Sequence, residues 1–386
     1  MASHQKIDRA PSAETLIQWE LKIGLYKLER PKPAGGDWIW MADHVIRLGV
    51  YKCFVIVGVR MATLPAKKDL TISLEDLEPI ALLPMETSNG TEVARKLEET
   101  VLKVGFSPDA LVIDHGSDLY AGARHFCENH PGTQLKYDVC HKVACELKKR
   151  LNKNLLWEKM TSGAVQTKKA LSLSKFAKFA PPQQRSKARY MNLDSLVKWA
   201  CAMLAQYDTL PKEVQRKVAW LIPMKREIRK WQEWVQIGQV TRDLIRREGF
   251  YDGADEALMD RLIEMNLMSD ETEEFTEILV DYVRSEGEGI HRDDRLVGTT
   301  EVLEGLFGGY KRMVGENKMS LNGLGRLILC MSSRIGEFSE ALVYNAMTNV
   351  KCKDVDAWLD QAFMRSDKKF LEQNQEQLLR EKVCNF

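Results

Sequence analysis

Carboxylates interrupt or close apolar runs of this chain at three places. Asp43 lies in 38-WIWMADHVIRL-48, Asp114 closes the run Ala110 to Ile113 in 110-ALVIDHGSDL-119, and Glu304 falls in 301-EVLEGLFGGYK-311. Two Asp on neighbouring strands, joined by a carboxylate from a helix, form an oxygen-rich site suited to Mg²⁺, with Mn²⁺ as a substitute. Two such ions about 3.5–4 Å apart can activate an attacking oxygen and stabilise a leaving one, which is how phosphodiesters are cut. Glu301 competes with Glu304 from one turn away. Lys311 lies two turns beyond Glu304, where an ammonium could meet a phosphate. Taken singly, each acid also suits capping or the helix dipole, so the weight rests on their order and charged surroundings. Asp118 reads as a helix N-cap, and Asp138 is the main rival for a place in the site.

These groups need elements to hold them. Ala13 to Leu28 reads as an amphipathic helix broken by 31-PKPAGG-36. Two strand-like runs, 38–48 and 51–61, form a hairpin across a Leu-Gly-Val join. A third strand is expected near Ile80 to Leu83, and a helix over 88–105 bracketed by Ser88 or Asn89 and Gly105. The strand ending at Asp114 follows, then a helix from about Asp118 to Asn129 and a strand-like run 134-QLKYDVCHKV-143 leading into a basic helix. This order predicts an α/β fold with a mixed five-stranded sheet flanked by helices. From Trp157 to Arg295 the pattern becomes helical: Asp194 to Ala205, Lys212 to Arg247 interrupted at Pro223, Glu256 to Leu267 and Glu271 to Ser285. Further helical runs occupy 299–314, 319–333, 337–347 and 353–364.

The formal charge of +1 conceals an uneven distribution. Lys148 to Tyr190 carries twelve basic residues, Lys168, Lys169, Arg185, Lys187 and Arg189 among them, against the single acid Glu158. Asp252 to Arg295 reverses the balance. A long basic stretch interleaved with Trp157, Phe176, Phe179 and Tyr190 is what a phosphate backbone attracts. The eight Cys show no spacing of a disulfide scaffold or zinc ribbon, and the chain has neither a signal-peptide core nor a membrane-length apolar run. These features predict a cytoplasmic protein with reduced thiols. A Walker-type loop, a strand-linked Gly-x-Gly-x-x-Gly and a Ser nucleophile elbow are missing from the sequence, which argues against an ordinary metabolic enzyme.

The succession 38-WIWMADHVIRLG-49, 110-ALVIDHGSDL-119, 137-YDVCHKVACELKKRL-151, a long helical interruption and 303-LEGLFGGYKR-312 resembles the catalytic domain of bacterial insertion-sequence transposases of the Asp-Asp-Glu type. That resemblance covers about Asp37 to Met347. It implies an RNase H-like fold interrupted by an all-α insertion, with an arm over 1–36, core over 37–153 and 298–350, the insertion over 154–297 and C-terminal helices over 351–386. It also implies that Asp43, Asp114 and Glu304 hold two Mg²⁺ ions, that Lys311 and the adjoining Arg312 contact DNA, and that Asp138 and His141 support the site's edge. Lys168, Lys169, Arg185, Lys187 and Arg189 would then hold DNA from the insertion. The partners implied are double-stranded DNA, as element ends and target, and a second copy of the chain, acting at the nucleoid. Val297 and Thr300 stand where some relatives carry Tyr and Arg, and the segment before Asp37 is too short for the helix-turn-helix domain such proteins usually bring. Two rivals remain: a structure-specific nuclease or resolvase that keeps the RNase H-like fold the resemblance implies but only nicks, and a DNA-binding protein without catalysis, a truncated or repurposed transposase.

Overall fold

The computed structural model describes residues 10–33, 35–48, 51–64, 69–184, 193–267, 269–270, 272–291, 294–314 and 321–362. In chain order, α1 (Ala13–Glu29) precedes strands β1 (Trp38–Leu48), β2 (Tyr51–Arg60) and β3 (Glu78–Met85). Then come α2 (Gly90–Val104), β4 (Ala110–Ile113), α3 (Ser117–Asn129) and β5 (Gln134–Tyr137). A helical stretch follows: α4 (Val139–Leu151), α5 (Leu155–Leu171), α6 (Asp194–Ala205), α7 (Lys212–Val218), α8 (Lys225–Glu248), α9 (Ala254–Glu264) and α10 (Glu273–Gly287). The last named helices are α11 (Glu301–Val314), α12 (Leu321–Ser333) and α13 (Glu340–Asn349). The chain divides into two compact units, unit 1 from Met1–Lys136 with Thr300–Phe386 and unit 2 from Tyr137–Thr299.

Unit 1 contains the expected mixed sheet, in the order β3-β2-β1-β4-β5. The β1–β2 hairpin is antiparallel, β3 joins β2 antiparallel, and β4 lies parallel to β1. Residues 49–50 of the expected hairpin join lie outside the described residues. Pro79 and Pro84 are accommodated because β3 is an edge strand, where a missing N–H breaks no ladder on its outer side. Strand alternation sends Trp38, Trp40 and Ala42 to one face, with Phe54, Ile56, Leu111 and Ile113, where Val93 and Leu97 of α2 and Phe126 of α3 complete the core. Small residues let α2 and α3 approach: a Cβ on Gly122 would lie 2.5 Å from Val93 Cβ and 2.6 Å from the Gly90 carbonyl.

The opposite face is equally dry, with Ile39, Met41, Cys53, Val55 and Val112 buried. Helix α11 packs on β1, and α1 packs on α12 and α13. The expected arm is therefore an integral part of unit 1. A Cβ on Gly24 would lie only 2.0 Å from the Leu329 carbonyl, and Ser332 Oγ donates to the Gly24 carbonyl at 2.9 Å. Buried Lys27 donates to the carbonyls of Ser333, Ile335 and Gly336. Burial pushes the Lys27 ammonium down to about 8, against the opposing pull of Glu78.

Unit 2 is helical and continuous in sequence. Its long central helix α8 packs against α4, α6, α9 and α10. Trp157 and Trp231 meet edge to face at 5.1 Å, and Gly163 lets the Trp220 ring approach so closely that a Cβ would lie 2.8 Å from it. The expected interruption at Pro223 is a 3-10 segment, Ala219–Met224, between α7 and α8. One expected element is shorter than its sequence suggests. The run 134–143 ends as a strand at Tyr137 because the Asp138 carboxylate accepts from His141 N at 2.6 Å and starts α4. Val143 of α4 then packs where Gly238 of α8 lacks a side chain, so α4 belongs with the helices of unit 2 although the sequence places it in the sheet-bearing core.

Candidate carboxylate site on the five-stranded sheet

Asp43 and Asp114 owe their proximity to strand register. The β1–β4 ladder pairs Ile39 with Ala110, Trp40 with Leu111, Met41 with Val112 and Ala42 with Ile113, so Asp43 and Asp114 each follow the last paired rung by one residue. Adjacent strands lie about 4.8 Å apart, which brings two carboxylates within reach of one ligand. Alternation puts Asp43 on the face of Met41 and of its β2 partner Val55, and Asp114 on the face of Val112. Both are half-buried. Neighbouring backbone orients them: His44 N donates to Asp43 Oδ1 at 2.6 Å, and Gly116 N donates to Asp114 Oδ1 at 3.0 Å.

Helix α11 covers this same face. Leu303, Leu306, Phe307 and Tyr310 are its buried stripe, at the i, i+3, i+4, i+7 spacing of a helix against a core. Tyr310 faces the buried thiol of Cys53, and its hydroxyl is held above the ordinary tyrosine range by burial and then by that thiol. Burial likewise pushes Cys53 up to about 12. At roughly 100° per residue, Glu304 and Lys311 fall within about 20° of each other on one flank of α11, whereas Glu301 lies about 60° further from the buried stripe. Glu304, Lys311 and Arg312 are solvent-exposed. The helix thus distinguishes the two acids that spacing alone left in competition. Among the described residues, no three His, Cys, Asp or Glu side chains are gathered closely enough to hold an ion.

On the other face of β1 lies a polar network that the sequence did not announce. His44 tilts against Phe54 at 5.2 Å, and its Nε2 shares a hydrogen bond with Ser88 Oγ at 3.2 Å. Ser88 Oγ also hydrogen-bonds the Asp118 carboxylate, which Lys52 approaches to 3.5 Å. Burial lowers the His44 imidazole below its ordinary range. At Asp118 burial works against ionisation, but the Ser88 bond leads the opposing effects and holds the carboxyl below its ordinary range. Asp118 is not the N-cap expected from sequence: Gly116 occupies that position and Asp118 is in the first turn of α3. Its polar neighbours come from residues 30 and 66 positions away, a separation no local pattern reports.

The remaining site residues expected from sequence are in unit 2 or outside the described residues. Asp138 is fully buried as the cap of α4 and also bonds His141 Nδ1 at 2.9 Å. Lys168 is half-buried and Lys169 exposed on α5. After α5, Lys175 and Lys178 lie 5.1 and 5.0 Å over the rings of Phe176 and Phe179, leaving a basic surface interleaved with aromatic planes. Arg185, Lys187 and Arg189 lie outside the described residues. No helix among the described residues is long and apolar enough to cross a membrane. Comparison with protein-family models and with curated proteins finds no match to the chain.

Proposed function

We propose that the chain is a DNA transposase with unit 1 as an RNase H-like catalytic core, hydrolysing DNA at element ends and joining the freed 3′ end to target DNA. The observation that carries this reading is that Asp43 and Asp114 each come one residue after the last paired rung of the parallel β1–β4 ladder, beside a helix that offers Glu304 and Lys311 along one flank. The carboxylate oxygens of the two Asp suit a hard divalent cation and would hold Mg²⁺ or Mn²⁺; Glu304 is the proposed third ligand, although no third acid is gathered with the pair among the described residues. Bound there, the ions supply charge neutralisation at the phosphoryl group and a more acidic attacking water.

The chain's own residues do the positioning. The His44 and Gly116 amides each donate to one oxygen, of Asp43 and of Asp114, and so orient the two carboxylates. Lys311, two turns from Glu304, holds a phosphate of the scissile strand. Exposed cations of unit 2, Lys169 among them, retain the duplex by charge alone. Hydrolysis adds water across the P–O3′ bond and leaves a 3′-hydroxyl; in the joining step that hydroxyl replaces water as nucleophile and the target's own 3′ oxygen leaves. Joining two ends calls for a second copy of the chain, acting on nucleoid DNA in the cytoplasm.

The test is cleavage of end-labelled duplex with Mg²⁺ and with Mn²⁺ by the wild type, Asp114→Asn, Glu304→Gln and Glu301→Gln. Expected is a loss of about a thousand-fold or more in Asp114→Asn and Glu304→Gln, roughly 4 kcal/mol of transition-state stabilisation, with Glu301→Gln near wild type. Wild-type levels of cutting by Asp114→Asn would sink the proposal. Cutting without joining would reduce it to a nuclease, and tight binding with no cutting to a DNA-binding protein.

A further inference from the structure

Unit 2 carries a second cationic feature, well separated in sequence from the basic stretch 148–190. A groove of about 640 Å³ runs beside the first two turns of α8, walled by Lys225, Arg226, Arg229 and Lys230, with Ser269 and Asp270 opposite. Buried Met224, Ile228, Trp231 and Val235 fix the rotation of the helix. The four cations then share about 140° of its outer surface, in two columns with a rise of roughly 6 Å each. Lys225, Arg226 and Arg229 are exposed; Lys230 pairs with Glu227 at 2.8 Å and lies 5.6 Å over the Trp234 ring. Glu233, the acid on the helix side of the groove, accepts a 2.7 Å hydrogen bond from Ser269 Oγ.

This arrangement works against the helix that bears it. Lys225 with Arg229, and Arg226 with Lys230, are like-charge pairs at i,i+4 spacing, which destabilises a helix. Both columns also start at the end of the macrodipole that disfavours cations. Departures of this kind from local stability are characteristic of binding surfaces. Every wall residue of the groove is polar or charged, the acids Glu233 and Asp270 among them, and the aromatic or aliphatic side chains that anchor protein interfaces are missing from its walls. A phosphodiester backbone needs none, because its affinity comes from neutralised phosphates and released counterions.

We propose that this groove is a sequence-independent binding surface for the backbone of double-stranded DNA. The proposal rests on the reading of the protein as DNA-binding, and adds a surface at α8 to that around α5. The experiment is fluorescence anisotropy of the full chain with a labelled duplex across a salt series. It compares the wild type, Lys225→Gln/Arg226→Gln/Arg229→Gln, and a control triple variant on unit 1, Lys103→Gln/Arg124→Gln/Lys351→Gln. Expected is a fall of roughly 2 to 3 in the slope of log K against log salt for the α8 variant alone, about 0.9 for each phosphate no longer neutralised. Its melting temperature should be unchanged or raised, since repulsion has been removed, an outcome that a purely structural role for these side chains would not give. A wild-type slope in the α8 variant overturns the groove while leaving DNA binding intact. An equal fall in the control variant also overturns it, by reducing the effect to net charge. No binding by the wild type removes both the groove and the DNA reading.

Discussion

The two units use charge in opposite ways. In unit 1 the acids Asp43, within β1, and Asp114, just after β4, each follow by one residue the last paired rung of a ladder that fixes the backbone. In unit 2 the exposed cations stand on helix surfaces, at Lys169 and along the first turns of α8. On the proposed reading, the difference teaches what each task would demand. Chemistry on a phosphodiester needs oxygen atoms held to a fraction of an ångström, and a sheet supplies that. Holding a polyanion needs charge density over a surface, and long side chains on a helix supply that without fixed geometry.

The comparison breaks most visibly at the carboxylates, where the thousand-fold loss on Asp114→Asn should be a loss of rate with DNA affinity kept. The α8 triple variant should do the reverse, losing affinity while single-turnover cutting at saturating DNA stays near wild type. Equal effects of both on rate would erase the division of labour.

Packing sharpens the contrast. Gly24→Ala in unit 1 would drive a Cβ against the Leu329 backbone carbonyl, which cannot rotate away, whereas Gly163→Ala in unit 2 meets the Trp220 ring, which can shift. We expect about 3 kcal/mol of destabilisation for Gly24→Ala and about 1 kcal/mol for Gly163→Ala by denaturant unfolding. A larger cost at Gly163 would show that unit 2 is the less yielding of the two.

Asp138→Ala removes the cap of α4 and a bond to His141 Nδ1, with an expected cost of about 1–2 kcal/mol in the unfolding of unit 2. No change on melting would mean that α4 starts without its cap.

The smallest effect concerns pH. Lys27 is pushed down to about 8 by burial, so between about pH 8 and the ordinary lysine value of 10.5 the unfolded chain binds more protons than the folded one. Stability therefore rises with pH across that window, and the cost of the buried charge is present in full below it. Lys32, also pushed down to about 8 chiefly by burial, titrates in the same window. Lys27→Met should accordingly flatten the slope of unfolding free energy against pH without abolishing it. An unchanged slope would place the shift elsewhere.

Much of this architecture was legible in the sequence. The 3.6-residue rhythm of α1 and α6, the Asn89 and Gly105 signals around α2, and the apolar runs of β1, β2 and β4 are local patterns, and local backbone preference produces them. What the sequence by itself determined was the kinds of element, their order and the strand-end location of Asp114. Only tertiary structure decided the rest. The β1–β4 register set Asp43 and Asp114 each one residue beyond its last paired rung, and the rotation of α11 about Leu303 and Phe307 separated Glu304 from Glu301. Long-range bonds assembled His44, Ser88 and Asp118, and Asp138 became a cap rather than a strand residue. The physical reason is one of range. Helix and strand preferences act over a few residues, whereas register, helix rotation and polar networks are settled by burial and hydrogen bonding between segments distant along the chain.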